Sequence, residues 1–507
     1  MIFLKLKVKD MDISTGKTLV AILHKVDAKK LDLHVSDRIR ITKGLKSTIA
    51  VLDIANSKKT VPLGSIGLFE EVLKRIKAKD SSNVKIFLEE KPKSLYFIRQ
   101  KLKGRKLKKE EIESIIKDLV NNNLSQVELT YFISGCFVHG LDLNETVNLT
   151  KSIINSGDVL KWNKKIVLDK HCIGGIPGNR TTPIVVSILM AAGYTVPKTS
   201  SRSITSPAGT ADTMEVLTKV DLNAKQIKKV VTRIGGCMTW GGGVNLAPAD
   251  DAIIKVERPL SIDSEGNLLS SILAKKGSVG ATHVLIDIPI GKTAKVKTRE
   301  HALHLKREFE KIGNKIGMKI LVLITNGSKP IGQGIGPSLE AIDLLYVLKN
   351  DSRAPLDLKK KSIELASEML YFVRAYNSKT KNKSKKYFLD QAKKLLESGA
   401  AWNKMRKVII AQGKKIDNPD KINLAKFHFD YKAKKSGKII SVDNKTISKI
   451  ARIAGAPEDN AAGIFMYKNT GNKIKKGDTI FRIYAENKTK LKYAKEFLIM
   501  LDGIKIK

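Results

Sequence analysis

Cysteine is scarce in this sequence, which has only Cys136, Cys172 and Cys237 among 507 residues. They are widely spaced and form no Cys-x-x-Cys pair, so the sequence predicts neither a disulfide framework nor a zinc knuckle. The eight histidines are scattered too, and the pair His301 and His304 lacks cysteine or carboxylate partners at ligand spacing. We therefore expect no metal site, no cofactor and a reducing compartment, the cytoplasm.

Long apolar runs are also missing. None reaches the roughly 18 residues that a membrane-spanning helix requires. The first eight residues alternate apolar and charged side chains, which is typical of a strand and not of a signal peptide. We therefore expect no membrane partner.

Acidic residues are few in comparison with basic ones, 50 against 93, which gives a net charge of +43. Such a charge suits nucleic-acid binding or a generally lysine-rich composition. The lysines are spread over all regions and aromatic residues do not interleave with them, which favours the second interpretation. We expect no nucleic-acid partner, although the field should attract small anionic substrates.

The length exceeds what a single core supports, so several domains are expected. Residues 1–90 contain short alternating runs that predict a β-barrel-like domain, and apolar residues recur at helical spacing in 91–160. Strands and helices alternate in 161–428, which predicts a mainly parallel α/β domain. Residues 429–507 become β-rich again and suggest a small barrel within a C-terminal α+β domain. The predicted fold class is α/β multidomain.

A glycine-rich loop after a predicted strand is the first candidate site. It begins at Asp169-Lys170-His171-Cys172 and leads through three glycines to Arg180-Thr181-Thr182. Glycines allow a close backbone approach to an anion, and Lys170 adds a positive charge. The loop matches neither a Walker A motif nor a dinucleotide fingerprint. An ordinary turn with glycines for packing remains an alternative, and His171 could contact a ligand or be a core histidine.

Residues 200–215 form the second candidate site. Six hydroxyl side chains, Arg202 and a glycine precede an acidic pair at a predicted helix start near Thr210. Hydroxyls, backbone N–H groups and a guanidinium at such a position suit a phosphate. Helix capping by Ser206 or Thr210 would explain only one or two of the hydroxyls.

Two further segments are less specific. Residues 241–263 end in Asp263, a candidate acid, although a single aspartate is more often a cap or a surface charge. Residues 326–337 are glycine-rich between a predicted strand and helix, and they suit a ligand loop, a mobile cover or a plain connection.

Taken together, these motifs resemble the thymidine phosphorylase family of nucleoside phosphorylases. The run Asp169-Lys170-His171 resembles its phosphate loop, and Arg202 with Gly209-Thr210-x-Asp212-x-x-Glu215 resembles its signature. The first 90 or so residues resemble the extra domain of the branch that acts on AMP. The resemblance implies a helical and an α/β domain with the active site between them. It also implies phosphorolysis, in which phosphate attacks the anomeric carbon and the base departs.

The resemblance implies roles for individual residues. Lys170, Thr182 and Ser200 match phosphate-binding positions, and Asp263 matches the proton donor. Substrate-binding positions are matched by Gly175, Ser201, Arg202, Ser203, Ile204, Thr205, Ser206, Thr210, Ser271 and Lys295. Ser271 and Lys275 also match a pair that holds the base in pyrimidine members. Cys172 departs from the serine usual at its position, and a thiol is a weaker hydrogen-bond donor.

The implied partners are AMP and inorganic phosphate, with CMP and UMP left open, and a homodimer or larger homo-oligomer. The surplus of donors in 200–215 favours two anions, and therefore a nucleotide over a nucleoside. A pyrimidine nucleoside phosphorylase is the alternative enzyme. A basic nucleic-acid-binding protein is the non-enzymatic alternative, and it leaves both loops unexplained.

Overall fold

The computed structural model describes residues 2–16, 19–203, 206–260, 262, 264–376, 378, 380–500 and 503–507. The chain divides into two units, one formed by Met1–Leu149 with Ala249–Gly266 and the other by Thr150–Pro248 with Asn267–Lys507. Within the residues described, no helix is long and apolar enough to cross a membrane.

The N-terminal segment forms a closed barrel in the order β1-β5-β2-β4-β3-β6. Its strands are β1 (Leu4–Asp10), β2 (Val20–His24), β3 (Arg38–Lys43), β4 (Lys46–Ala55), β5 (Ser65–Leu68) and β6 (Asn83–Leu88). Alternate residues such as Leu6 and Val8, or Ile39 and Ile41, are buried, so the period-two pattern of the sequence fills the barrel interior. Two short helices, α1 (Lys25–Lys29) and α2 (Glu70–Ile76), join strands.

The next segment is helical, with α3 (Ser94–Leu102), α4 (Lys109–Val120), α5 (Gln126–His139) and α6 (Leu143–Asn155). Helix α5 begins with a capping box: Ser125 Oγ accepts from the Glu128 N–H at 3.2 Å, and Glu128 accepts from the Ser125 N–H at 2.7 Å. A buried ion pair of 2.8 Å between Lys101 and Glu145 joins α3 to α6.

The central segment is a parallel sheet with helices. The strands are β7 (Leu168–Cys172), β8 (Val196–Ser200), β9 (Gly236–Trp240), β10 (His283–Ile290) and β11 (Lys319–Asn326). The helices are α7 (Thr181–Ala191), α8 (Thr210–Leu217), α9 (Ala224–Ile234), α10 (Pro248–Leu260), α11 (Glu265–Ser278) and α12 (Arg299–Lys315), with a 3₁₀ turn at Gly241–Gly243. Strands pair in parallel as β11-β10-β7 and as β8-β9, and a parallel bridge between Val167 and Thr195 connects the two sets.

The strand order positions the site. The chain starts the sheet at β7, adds β8 and β9 on one side, and then adds β10 and β11 on the other. The side of the sheet to which strands are added therefore changes between β7 and β10, although these two strands are parallel. Ligands of such sheets bind beyond the carboxyl ends of the strands at this switch point. The predicted mainly parallel α/β domain is confirmed.

Four helices follow the sheet: α13 (Pro337–Lys349), α14 (Leu356–Val373), α15 (Lys385–Glu397) and α16 (Ala400–Ala411), with 3₁₀ turns at Arg374–Tyr376 and Pro419–Lys421. The C-terminal strands are β12 (Gly334–Ile335), β13 (Phe427–Lys432), β14 (Gly437–Val442), β15 (Gly463–Met466), β16 (Lys473–Ile474), β17 (Thr479–Ala485) and β18 (Ile504–Ile506). The C-terminal helices are α17 (Asn444–Ile453) and α18 (Lys488–Met500).

The expected C-terminal barrel is wrong. The strands form two sheets, β12-β15-β17-β13 and β16-β14-β18. Apolar residues of α17 and α18, including Ile447, Ile450 and Leu498, belong to the core that covers them, so burial does not require closure into a barrel. The predicted fold class is confirmed, and the exact domain boundaries stay a prediction.

Candidate active site

Two of the predicted binding positions meet at the switch point. Gly175 lies in the loop after β7 and Lys295 in the loop after β10. A Cβ at Gly175 would lie 2.6 Å from the Lys295 backbone nitrogen, and Gly175 has a φ of +88°. Only glycine permits both this close approach and this backbone conformation. The structure therefore brings Gly175 and Lys295 together, and their roles in substrate binding stay a prediction.

Lys170 is a fully buried cation on β7. Its Nζ donates to Thr181 Oγ1 at 2.9 Å and to Thr182 Oγ1 at 3.0 Å, at the first two residues of α7. Burial lowers the pKa of Lys170 below its usual value, and none of the described acidic residues forms an ion pair with it; nearby Asp287 pairs with Lys361. A buried cation that lacks a carboxylate partner at a helix N-terminus is well suited to an anion.

Three hydroxyl groups at this edge are set to donate outward. Thr182 accepts from Lys170, and Thr210 accepts from Arg180 at 2.9 Å. Ser200, at the end of β8, has a buried Oγ without a hydrogen-bond partner. A hydroxyl carries one hydrogen, and among the described residues no acceptor takes the hydrogens of these three. They are the donors available to an anion.

Neighbouring hydroxyls show the contrast. Thr181 Oγ1 donates to Asn179 Oδ1 at 3.4 Å, and Thr213 Oγ1 donates to the Gly209 carbonyl at 3.1 Å. Their hydrogens are therefore used within the protein. The structure thus distinguishes Thr182 from Thr181, which the sequence could not do from composition alone.

Arg180 is a site residue that sequence reasoning missed. Its side chain is buried, and it contacts Thr210, the Ala208 carbonyl and the Glu340 carboxylate. The available signal was its position between a glycine turn and two threonines in a candidate phosphate loop. Its acidic partner lies 160 residues away in sequence, which hid the pair.

A buried cluster supports the start of the same loop. Asp169 on β7 lies 3.3 Å from Lys198 on β8 and 2.8 Å from Lys276 on α11. Two lysines face one carboxylate, so the cluster has one positive charge in excess when both lysines are protonated. These lysines lower the pKa of Asp169 despite its burial, and burial together with Lys276 lowers the pKa of Lys198 to about 7.

The two residues after Lys170 are uncharged at neutral pH. Burial and the surrounding lysines hold the pKa of His171 well below its usual value. Burial raises the pKa of the Cys172 thiol, whose Sγ accepts a hydrogen bond from Asn179 Nδ2 at 3.4 Å. His171 is therefore a neutral hydrogen-bonding group, and Cys172 places no thiolate beside an incoming anion.

Arg202 is held in an ion pair. Its Nη2 donates to Glu215 Oε1 at 2.8 Å, its Nη1 also contacts Glu215 and lies 3.4 Å from Asp212 Oδ1, and the guanidinium lies 4.9 Å from the Trp240 ring centroid. The acidic residues of the predicted signature therefore orient its arginine. The hydrogen bonds to Glu215 raise the pKa of Arg202, although burial of the guanidinium opposes this rise.

The serines beside Arg202 shape the loop. Ser203 Oγ donates to the Ser206 carbonyl, and Ser206 Oγ donates to the Ala208 carbonyl at 3.1 Å. Asp212 Oδ2 accepts from the N–H groups of Ser203 at 2.7 Å and Gly209 at 2.8 Å. Gly209 is the N-cap of α8, so the capping role considered for Ser206 or Thr210 is wrong. Asp212, the third residue of α8, accepts from the N–H of this N-cap residue, which is one half of a capping box.

The structure describes only some of the remaining predicted site residues. Ser201 is exposed in the loop after β8. Lys275 Nζ lies 3.5 Å from Ser271 Oγ, one turn away on α11, as the Ser-x-x-x-Lys spacing implied. Ile204, Thr205 and Asp263 lie outside the described residues.

The glycine-rich segment 326–337 is tied into the fold. Asp343 Oδ2 accepts from the N–H groups of Gln333 and Gly334, each at 2.7 Å, and Gly334–Ile335 pair with β15. These contacts favour a structural connection over a mobile cover. In the part of the chain that the structure describes, no cluster of three His, Cys, Asp or Glu residues could hold a metal ion.

Family models match three segments of the chain. The helical bundle domain of a glycosyl transferase family matches residues 95–157, and the a/b domain of that family matches 164–308. The pyrimidine nucleoside phosphorylase C-terminal domain matches residues 438–499.

Curated relatives match almost the whole length. The AMP phosphorylase of Methanococcoides burtonii is 41% identical over 97% of this chain and 95% of its own. That of Pyrococcus furiosus is 42% identical over 99% and 97%. A putative thymidine phosphorylase of Legionella pneumophila strain Paris is 42% identical over 92% and 87%.

Among solved structures, an anthranilate phosphoribosyltransferase from Thermus thermophilus superposes with a TM-score of 0.51 at 17% identity. The match covers 62% of this chain and 98% of that one. At this identity the likeness concerns the fold alone.

Proposed function

Because this chain belongs to the family of the AMP phosphorylases and thymidine phosphorylases, we propose that it cleaves AMP with inorganic phosphate, giving adenine and ribose 1,5-bisphosphate. Identity alone does not separate nucleotide from nucleoside as substrate, since relatives with both names are about equally similar. The observation that carries the proposal is the buried Lys170 beside three hydroxyls whose hydrogens the described protein groups leave unused.

The phosphate nucleophile is assigned to this site. Lys170, Thr182, Ser200 and Thr210 supply one charge and three O–H donors, and α7 and α8 begin at Thr181 and Thr210 with their positive ends at the same loops. Attack at the anomeric carbon gives the ribose oxocarbenium character. A phosphate dianion held in this position stabilises that charge electrostatically.

The 5′-phosphate of AMP is assigned to residues 201–206 and not to the Lys170 site. This segment comprises Ser201, Arg202, Ser203, Ile204, Thr205 and Ser206. Arg202 is the charged donor of the segment, and its ion pair with Glu215 and its contact with Trp240 hold it at the start of α8. Hydrogen bonds to charged groups contribute about 1.5–3 kcal/mol each, so two or more of them favour AMP over adenosine by orders of magnitude.

The departing base requires a proton, and we assign its transfer to Asp263. A purine leaves more readily when N7 is protonated, so a general acid near the base accelerates cleavage. Gly175, Ser271 and Lys295 are assigned to the nucleoside part of the substrate. Neutral His171 adds a hydrogen-bonding group that does not repel the cationic sugar.

Location and assembly complete the proposal. Cys136, Cys172 and Cys237 are all free thiols, which supports a reducing cytoplasm. We propose a homodimer or larger homo-oligomer, by analogy with the family. CMP and UMP are further substrates to be compared with AMP.

The test is a measurement of released base. Purified protein is incubated with phosphate and AMP, CMP, UMP, adenosine, thymidine or uridine. We expect kcat/KM for AMP to exceed that for adenosine by at least about 100-fold, the effect of about 2.7 kcal/mol. Comparable values for the two would contradict the nucleotide assignment, and preferential cleavage of thymidine or uridine would establish the pyrimidine alternative.

Asp263 is tested by Asp263→Asn, which keeps the shape and removes the acidic proton. We expect kcat with AMP to fall about 100-fold or more, the usual contribution of a general acid, while the KM for phosphate stays within about twofold. Near-normal turnover with an unchanged unfolding curve would remove Asp263 from the mechanism.

A further inference from the structure

Arg180 is bound through all three nitrogens of its guanidinium. Its Nε contacts Glu340, Nη1 donates to Thr210 Oγ1 at 2.9 Å, and Nη2 donates to the Ala208 carbonyl at 3.0 Å. The guanidinium is planar and its donors diverge at fixed angles. Three anchors therefore fix the plane of Arg180 and, with it, the position of the Thr210 oxygen.

Glu340 is the acidic partner of the arginine. Glu340 is buried on α13, where it also lies 3.3 Å from Thr213 Oγ1 and 3.3 Å from the Gly336 N–H. Arg180 thus connects the loop after β7, the start of α8 and α13. The first two of these carry the assigned phosphate donors.

The direction of one hydrogen follows from this arrangement. When the Thr210 oxygen accepts from Arg180, its own hydrogen must point away from the guanidinium. Thr210 then donates outward, as Thr182 does when it accepts from Lys170. The two threonines have equivalent settings at the starts of two helices, each oriented by a buried cation.

We propose that Arg180 is a positioning residue for phosphate binding, which orients the Thr210 hydroxyl so that it donates to the phosphate nucleophile. The inference rests on the proposed function for the identity of the anion. Arg180 acts through Thr210 and does not itself bind the phosphate. Lysine in its place would keep the charge facing Glu340 but would lose the fixed fork that joins three acceptors.

The test is a double-mutant cycle on the dissociation constant of inorganic phosphate, measured by calorimetry on the full chain. The variants are Arg180→Lys, Thr210→Val and the combination. We expect each single variant to weaken phosphate binding about tenfold. The combination should be no weaker than Thr210→Val alone, because Arg180 has no hydroxyl left to orient.

Several outcomes would overturn the proposal. Multiplication of the two effects, to about 100-fold, would mean that Arg180 acts independently or contacts phosphate directly. An Arg180→Lys variant with unchanged phosphate affinity would also overturn it, as would equal increases in the KM for AMP and for phosphate, which a general loosening of the fold produces. Ser187→Ala is the control: its buried hydroxyl donates to the Pro183 carbonyl within α7, so phosphate affinity should not change.

A folding defect, or a wrong proposed function, can be distinguished from a wrong role for Arg180. If Arg180→Lys folds poorly, Arg180→Gln with Glu340→Gln removes both buried charges together and replaces it in the cycle. Phosphate binding without AMP cleavage in the wild type would contradict the proposed function and leave the cycle decisive for Arg180. A wild type that does not bind phosphate would overturn both.

Discussion

Replacement of Lys170 by methionine should separate stability from function. Lys170 is fully buried and donates to two threonine hydroxyls, and no described carboxylate forms an ion pair with it. Methionine has a similar length and no charge. Lys170→Met therefore removes the cation that we assign to phosphate while it fills the same space.

Stability and function should respond differently to this change. Loss of two hydrogen bonds to a charged group costs about 1.5–3 kcal/mol each, and removal of a desolvated cation recovers several kcal/mol. The free energy of unfolding without phosphate should therefore change little. Phosphate at 100 times its dissociation constant stabilises a binding protein by about 2.7 kcal/mol, and the variant should lose this gain. Its kcat/KM for phosphate should fall by about 10- to 150-fold or more.

Urea unfolding with and without phosphate, together with phosphorolysis kinetics, tests this pair of effects. Lys101→Met is the matched control, because Lys101 is an equally buried lysine that does pair with a carboxylate, Glu145. It should lose about 3–5 kcal/mol of stability and keep its response to phosphate. A Lys170→Met protein that is destabilised like the control, or that phosphate still stabilises, would refute the assignment of Lys170 to an anion site.

Three further experiments address neighbouring residues. Because the pKa of Lys198 is lowered to about 7 in the folded protein, the unfolded chain binds a proton that the folded chain lacks between about pH 7 and 10. Stability should rise with pH in this window, and a wild-type slope retained in Lys198→Met urea curves would contradict this source. Cys172→Ser should tighten phosphate binding about 2- to 10-fold in calorimetry, since a hydroxyl is the stronger donor; unchanged affinity would place residue 172 away from the anion. Gly175→Ala should abolish phosphorolysis because its Cβ would lie 2.6 Å from the Lys295 nitrogen, whereas Gly174→Ala, at a similar positive φ but with nothing within 4 Å, should lose less; equal losses would attribute the effect to φ alone.

The sequence predicted the sheet because local patterns determine it. Strands such as β10 are mostly apolar runs between turns. The alternation of such runs with helices predicts parallel pairing. The order of the strands, and therefore the switch point between β7 and β10, depends on pairing between segments that are far apart in the sequence. No local pattern encodes that order. The expected C-terminal barrel was wrong for a related reason. The turn residues between short strands predict hairpins, but they do not say which faces of the sheets the helices will cover.

The candidate site was predictable where residue type and loop position suffice. Lys170, Thr182 and Gly175 follow from a glycine-rich loop between a strand and a helix, with the family resemblance to choose among them. Arg180 was not identified although it lies in the same loop. Its role depends on Glu340 and Thr210, which the fold brings to it from elsewhere in the sequence.

The number of anions that residues 200–215 can bind depends on where each hydrogen points. In sequence, the segment offers seven hydroxyls and an arginine, a surplus for one phosphate. In the structure, Ser203 and Ser206 donate to carbonyls within the loop, and Arg202 is paired with Glu215. Ser200 and Thr210 remain as outward donors, and these we assign to the nucleophile. Among the described residues this leaves the exposed Ser201 and the charged Arg202 for the 5′-phosphate, and Glu215 holds Arg202 in its position. Glu215→Gln, which keeps the shape but loosens the ion pair that orients Arg202, should raise the KM for AMP and leave that for phosphate unchanged; a lower KM for AMP would mean that Glu215 competes with the nucleotide for Arg202.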